Sequence, residues 1–374
     1  MIVPVTKALS LSQFTNCLDV SRRLSCGKFV FQMRNRVCKG QITVGDTLGD
    51  SRVPKYPLPL TAEFIRINLA VLGKRTRVVR LREQIMASGK LRIHKKPKLY
   101  NPRLILGFSG WMDGGDVSSG TIKCLIDKLG AEKVAEINPE GFYIYNFPGS
   151  MEISALFRPH ARIKNGLVVS YEVPKNEFFS TENADLILFL GKEPNLLWEE
   201  FADCVFSLCA ESGVKMIYFI GSVAGLVPHT RDPRLFCSVS AARLKEVHAR
   251  YGVKFSDYEG PASFITYLTT RCRDRGMDMV SIVATIPAYV QGNNPKCIEA
   301  VTRRLAGILG VQADLDDLGA VSDEFEKKLS DVVQEQPELA NTIHKLEEDY
   351  DNEIFDSEMG DLKNWLQQQG IRLD

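Results

Sequence analysis

The sequence predicts an α/β fold, a three-layer α/β/α sandwich followed by an acidic helical C-terminal segment. Three observations carry that expectation. Short apolar runs alternate with helix-length segments between residues 91 and 311, the order of βαβ units on a largely parallel sheet. At residues 104–120, LILGFSGWMDGGDVSSG, an apolar run enters a glycine-rich loop and then a helix start, which is half of such a unit. From residue 312 the charge turns acidic and apolar residues step by three and four, as in helices that bury one stripe.

Leu104, Ile105 and Leu106, bounded by Pro102 and Gly107, read as a strand buried on both faces. Asp116 is placed to accept from the free N–H groups of a helix running to Leu129. Further strands are expected at 142–145, 166–171, 186–190, 216–220 and 280–286, and helices at 198–212, 241–250, 262–275 and 295–309. In the acidic zone Leu315, Leu318, Val321, Phe325, Leu329 and Val332 form one helical stripe. Pro337 suits the first turn of a second helix, striped by Leu339, Ile343, Leu346 and Tyr350. Met359, Leu362, Trp365 and Leu366 suggest a third. These stripes require cover, from the α/β body or from another subunit.

The 374 residues carry a net charge of only +1, but the charge is unevenly placed. Residues 1–85 hold 15 Lys or Arg against 5 Asp or Glu, and residues 312–374 hold 5 against 18. The first zone has no helical or alternating order and is broken by prolines at 54, 57 and 59. Arg82-Glu83 can be encoded by a purine-rich ribosome-binding sequence two codons before Met86. Residues 1–85 are therefore expected to be a leader upstream of the true start, or a disordered basic extension. The α/β domain is expected at 86–311 and the acidic helical segment at 312–374.

A basic zone raises nucleic acid as a partner, but aromatics for base stacking are sparse and no binding module appears; no nucleic-acid partner is expected. No window approaches the roughly 18 consecutive apolar residues of a membrane helix, and the N-terminus lacks a secretory pattern. The expectation is a cytoplasmic protein without a membrane partner. Nine scattered cysteines form no C-x-x-C, and no histidine sits among paired ligands; reduced thiols and no metal are expected.

Two strand-to-glycine-loop junctions are the candidate site. Gly110, Trp111, Asp113, Gly114 and Gly115 form the first; Gly221, Ser222 and Gly225, with His229 and Arg231 downstream, form the second. Ligands of open α/β sheets gather at the carboxyl ends of strands, so the loops can line one crevice and offer backbone N–H groups to an anion. Asn293 and Arg231 add amide and cation contacts. Close packing of two tight turns explains the same glycines equally well. A hydrolase would need Ser222 or Ser109 with His229 or His160, but in Gly221-Ser222-Val223-Ala224-Gly225 the serine is second, not central as in G-x-S-x-G. No P-loop occurs, and Gly107-Phe108-Ser109-Gly110 breaks the dinucleotide fingerprint; no cofactor is expected.

FSGWMDGG at 108–115, NFPGSMEI at 146–153, LFLGKEPN at 188–195, YFIGSVAGLVPHTRDPR at 218–234, YEGPASFITYL at 258–268 and IPAYVQGNNPKC at 286–297 together resemble the proteasome assembly chaperone family. The likeness is to the prokaryotic form of its second-subunit branch, and it covers the chain from about residue 91 onward. It implies a phosphorylase-like α/β/α fold, homo-oligomers, and binding to proteasome α subunits where the organism has them, without turnover. Chaperones of this family that dock in α-ring pockets often end in a hydrophobic residue, a tyrosine and one more residue. This chain ends Ile371-Arg372-Leu373-Asp374, so tail insertion is not expected. The first functional expectation is thus a non-catalytic, protein-binding, assembly-chaperone-like protein. The alternative is a phosphorylase-like or hydrolase-like enzyme, or a small-anion binder, using the loops at 107–115 and 221–225.

Overall fold

The structure is a computed structural model and describes residues 89–368. The expected leader at 1–85 and the chain end, 369–374, lie outside the described residues. In chain order the elements are β1 (Leu91–Ile93), β2 (Arg103–Ser109), α1 (Val117–Lys128), β3 (Glu132–Ile137), α2 (Met151–Ala155), β4 (His160–Lys164), β5 (Leu167–Glu172), β6 (Glu177–Thr181), β7 (Leu186–Lys192) and α3 (Trp198–Ser212). Then follow β8 (Met216–Gly225), β9 (Leu235–Val239), α4 (Arg243–Ala249), β10 (Lys254–Phe255), α5 (Phe264–Asp274), β11 (Asp278–Pro287), α6 (Pro295–Leu309), α7 (Asp316–Gln334) and α8 (Pro337–Gln368).

One mixed sheet runs β1-β3-β6-β7-β2-β8-β11-β9-β10 among the described residues. Its centre, β7-β2-β8-β11, is parallel. These are the strands whose near-continuous apolar runs stood out in the sequence, because helices cover both of their faces. The flanks are antiparallel at β1-β3-β6-β7 and at β11-β9, so a largely parallel sheet is found only at the centre. Side chains of β2 alternate between two cores. Leu104, Leu106 and Phe108 meet Phe201, Val205 and Leu208 of α3 and Phe264 and Leu268 of α5, whereas Ile105 meets Ile122 and Leu125 of α1 and Val301 and Leu305 of α6. Phe108 lies 4.9 Å from Phe189 and 5.7 Å from Phe264 between ring centres, spacings at which tilted aromatic pairs attract.

Three expectations are corrected. Residues 142–145 form no strand: Phe142 and Tyr143 are buried in an irregular segment whose backbone is satisfied by the 193–197 loop, with Asn195 and Leu196 N–H groups donating to the Phe142 carbonyl at 2.9 and 3.0 Å. The strand at 166–171 exists as β5, but among the described residues it pairs only with β4, outside the main sheet. The third acidic helix is not separate, because α8 runs unbroken from Pro337 to Gln368. The stripes of α7 and α8 are covered in part by the body. Phe325 lines a small pocket with Val227 and Cys297, and Val333 and Ile343 are buried.

Candidate functional site

The first glycine loop is a detour between two neighbouring strands. β2 and β8 pair in parallel as far as Gly107 and Ile220. There Ser118, fully buried on α1, inserts its hydroxyl, which accepts from the Phe108 N–H at 3.1 Å and donates to the Ile220 carbonyl at 2.5 Å. Beyond this wedge the chain turns through Gly110, at φ 139°, and rejoins β8, where the Ser222 N–H donates to the Met112 carbonyl at 2.9 Å. Gly107 permits the close approach, since a Cβ there would lie 2.3 Å from Ile122 Cγ1 and 2.9 Å from the Ser118 carbonyl.

The carboxylate that caps α1 is Asp113, not Asp116 as the sequence suggested. Asp113 Oδ1 accepts from the Ser119 N–H at 2.9 Å, whereas Asp116, at φ 55°, makes no capping bond. Burial pushes the Asp113 carboxyl above its usual range, against the lowering effect of the Ser119 and Ser118 donors.

The remaining candidates are held mostly within the fold. Ser222 is fully buried and its hydroxyl donates to the Gly114 carbonyl at 2.7 Å. The Gly115 carbonyl accepts from the Asn294 N–H at 2.9 Å, and the Gly225 carbonyl from Ala288 N–H at 3.1 Å. A Cβ on Gly221 would press on the Phe219 ring at 2.6 Å, and one on Gly114 would lie 3.1 Å from Ile286 Cδ1. Ser109 donates weakly to the Gly191 carbonyl at 3.4 Å. Neither serine pairs with a histidine among the described residues. His229 uses both ring nitrogens elsewhere, at 2.8 Å from the Tyr289 hydroxyl and 3.0 Å from that of Ser330. Burial lowers its pKa, which leaves the imidazole neutral near pH 7.

Arg231, offered by the sequence as an anion contact, already has anions. Its Nε and Nη2 donate to the two Asp351 oxygens at 2.9 and 2.7 Å, and Glu347 stands 3.7 Å away. Arg234 and Lys254 both pair with Glu353, Arg234 stacks over Tyr350 at 4.7 Å, and Lys296 pairs with Glu326. The acidic face of α8 therefore clasps the basic loop at 230–234. Under α7, the space bounded by Val227, His229, Arg231, Asn294, Lys296 and Phe325 amounts to about 10 Å³, no more than one water needs. A cleft of about 240 Å³ exists at the amino end of β7, lined by Lys95, Glu132, Ser180 and Thr181, away from both glycine loops.

Sequence reasoning missed the residues that tie the loops together. Asn293 is exposed, whereas its neighbour Asn294 is buried and caps α6 by accepting from the Cys297 N–H at 3.1 Å. The Asn294-Pro295 pair, a capping side chain before a first-turn proline, was the available signal. Glu193 is a second such residue: its oxygens accept from the Trp111 N–H at 3.1 Å and the Phe264 N–H at 3.0 Å, joining the first loop to α5. What the loop presents outward is Trp111, 71% exposed. Leu196, Leu197 and Leu226, on the loops that follow β7 and β8, are also exposed along this carboxyl edge.

Among the described residues no helix is long and apolar enough to cross a membrane, and no group of three His, Cys, Asp or Glu is placed to hold a metal ion. None of the curated proteins compared with the chain matches it. Solved structures do. A Mycobacterium tuberculosis protein of unknown function is 23% identical with a TM-score of 0.64, over 73% of this chain and 92% of that one. One of unknown function from Corynebacterium glutamicum is 21% identical with a TM-score of 0.61, over 71% and 98%. A second M. tuberculosis protein, described as a proteasome-assembly chaperone homologue, is 26% identical with a TM-score of 0.56, over 64% and 99%. These likenesses show a shared α/β fold with helices flanking a mixed sheet. The sequence model of the PAC2 family matches residues 107–333, well over half of the chain, and the protein belongs to the PAC2 family.

Proposed function

We propose that this chain is a non-catalytic protein-binding member of its family, an assembly-chaperone-like protein that works in the cytoplasm as a homo-oligomer. Its partners are proteasome α-type subunits where the organism has them. The functional unit is the α/β body from residue 86 to 311 with the acidic helices of 312–374 against it, and residues 1–85 are a leader or basic extension. Family membership and the likeness to a proteasome-assembly chaperone homologue support the partner class. The observation that carries the reading is Trp111: a large apolar side chain held out to solvent by a loop whose own polar groups are bonded inward. Exposed tryptophans of this kind anchor protein interfaces, where truncation costs 2 kcal/mol or more, about 30-fold in affinity. A small-anion site would instead leave backbone donors and Arg231 open.

The test pairs the chain starting at Met86 with its Trp111→Ser variant, each mixed with purified proteasome α-type subunits from the source organism. The expected result is a stoichiometric complex with the first, weakened at least 10-fold in the second, with equal thermal stability. Equal retention by both, or retention by neither together with a small molecule in the native mass spectrum, would overturn the reading.

A further inference from the structure

Residues 146–175 leave the body as an arm carrying α2 and the β4–β5 hairpin. The hairpin turns through Asn165 and Gly166 at φ 50° and 75°, the type I′ geometry that Asn-Gly favours, and pairs with no other strand among the described residues. Every residue of β4 is exposed, and so is every residue of β5 except Ser170; α2 buries nothing. Ile163, Leu167 and Val168 are 66%, 71% and 67% exposed. A lone two-stranded hairpin is marginal in water, and neighbouring exposed apolar side chains on one are suited to a contact site.

The edges of the hairpin are not built for strand addition. β4 carries Arg162 and Lys164, and the register jumps from Arg162↔Ser170 to Ile163↔Val168, leaving Val169 of β5 as a bulge. Both are devices that blunt an edge. The faces remain: alternation puts Arg162 and Lys164 with Leu167 on one, and Ile163 with Val168 on the other. Residues 146–175 hold four Lys or Arg against two Glu, and Arg162, Lys164 and Lys175 have no ion-pair partner among the described residues.

The same chain carries the complement. Glu347, Asp351 and Glu353 face the body and are matched there. Asp323, Asp331, Glu335 and Glu338 are exposed on α7 and the start of α8 with no cation partner among the described residues, beside half-exposed Val321 and Val332. The arm leaves the sheet beside β6 and β7, while α8 lies against loop 230–234 and β10. No hydrogen bond or ion pair joins arm and acidic helices among the described residues.

We infer that the arm of one copy docks its cationic face, Arg162 and Lys164 with Leu167, on the acidic face of α7 and α8 of a second copy. The contact joins two different surfaces of the chain, so the assembly closes reciprocally as a dimer, closes into a larger ring, or grows as a filament. The inference deepens the homo-oligomer part of the proposed function and rests on it.

Charge exchange tests it in the full chain. Arg162→Glu with Lys164→Glu reverses the arm; Asp331→Lys with Glu335→Lys reverses the helical face. Sedimentation of the unaltered protein should show an oligomer that loosens as salt rises. Each variant alone should associate at least 10-fold more weakly with unchanged circular dichroism, and an equal mixture of the two should associate more tightly than either alone, since the arm of each then meets the helical face of the other with opposite charge. A monomeric unaltered protein overturns the inference, as does an oligomer that either variant retains, or a mixture that stays dissociated. Retention of the helical-face variant alone would mean that arms pair with arms. Capture of α-type subunits by a monomeric chain would leave the partner reading standing while this one fails.

Discussion

Replacing Gly115 with alanine separates the two meanings of the glycine loops. Gly115 sits at φ 65°, and a Cβ there would lie 2.9 Å from Asn294 Cβ and 3.2 Å from Ile286 Cδ1. The left-handed conformation costs a residue with a Cβ about 1–2 kcal/mol. Pushing Asn294 aside overpacks a buried contact, at roughly 1–3 kcal/mol, and disturbs the cap of α6. The expected loss is about 2–5 kcal/mol, a large part of the 5–15 kcal/mol that holds a typical domain together. At about 2–4 °C per kcal/mol for a chain of this order of size, the melting point should fall by roughly 4–20 °C. Gly307→Ala is the control: it lies on α6 with nothing within 4 Å of the added carbon and should stabilise by up to about 1 kcal/mol. Urea and thermal unfolding of the three proteins read the difference. A Gly115→Ala chain within about 0.5 kcal/mol of the original would refute the packing argument, because ordinary surface changes fall in that range.

Three further outcomes follow from particular contacts. Ser118→Ala should cost about 1–3 kcal/mol in urea unfolding, since it strands the Phe108 N–H and Ile220 carbonyl in a buried seam. Gly319→Ala on α7, where an added Cβ meets nothing within 4 Å, should raise stability by roughly 0.5–1 kcal/mol. The clasp of α8 should loosen in acid. Hydrogen bonding to Arg231 and to Lys254 holds the Asp351 and Glu353 carboxyls below their ordinary values. Their contribution is therefore complete above the unfolded carboxylate range, about pH 4, and is lost as pH falls through the lower folded values. Hydrogen exchange of α8 amides, slow at pH 6 after correction for intrinsic rates, should lose protection below about pH 4; protection that persists would mean the apolar stripe alone holds the helix.

The helices 198–212 and 295–309 were legible to the residue, because each carries an apolar stripe of helical period. The strands β2, β7, β8 and β11 were legible because burial on both faces leaves a near-continuous apolar run. β3 (EKVAEI) and β6 (EFFST) were not, since flanking antiparallel strands are short and mix charged with buried positions. Hairpin β4–β5 was half found, although Asn165-Gly166 announced its turn. Residues 142–145 misled because aromatic residues favour strands, while here their burial is satisfied by a loop.

By itself the sequence determined the α/β class, the central strands, the two glycine junctions and the uneven charge, since all of these depend on local pattern and composition. Only the tertiary structure decided what those junctions touch. Whether a glycine offers its N–H to a ligand or lets a neighbour approach depends on atoms far along the chain: Ser118 under Phe108, Asn294 against Gly115, Glu193 beneath Trp111. The fate of Arg231 and His229 depended in the same way on α7 and α8, whose acidic and polar side chains occupy the partners that the basic loop would otherwise extend to solvent.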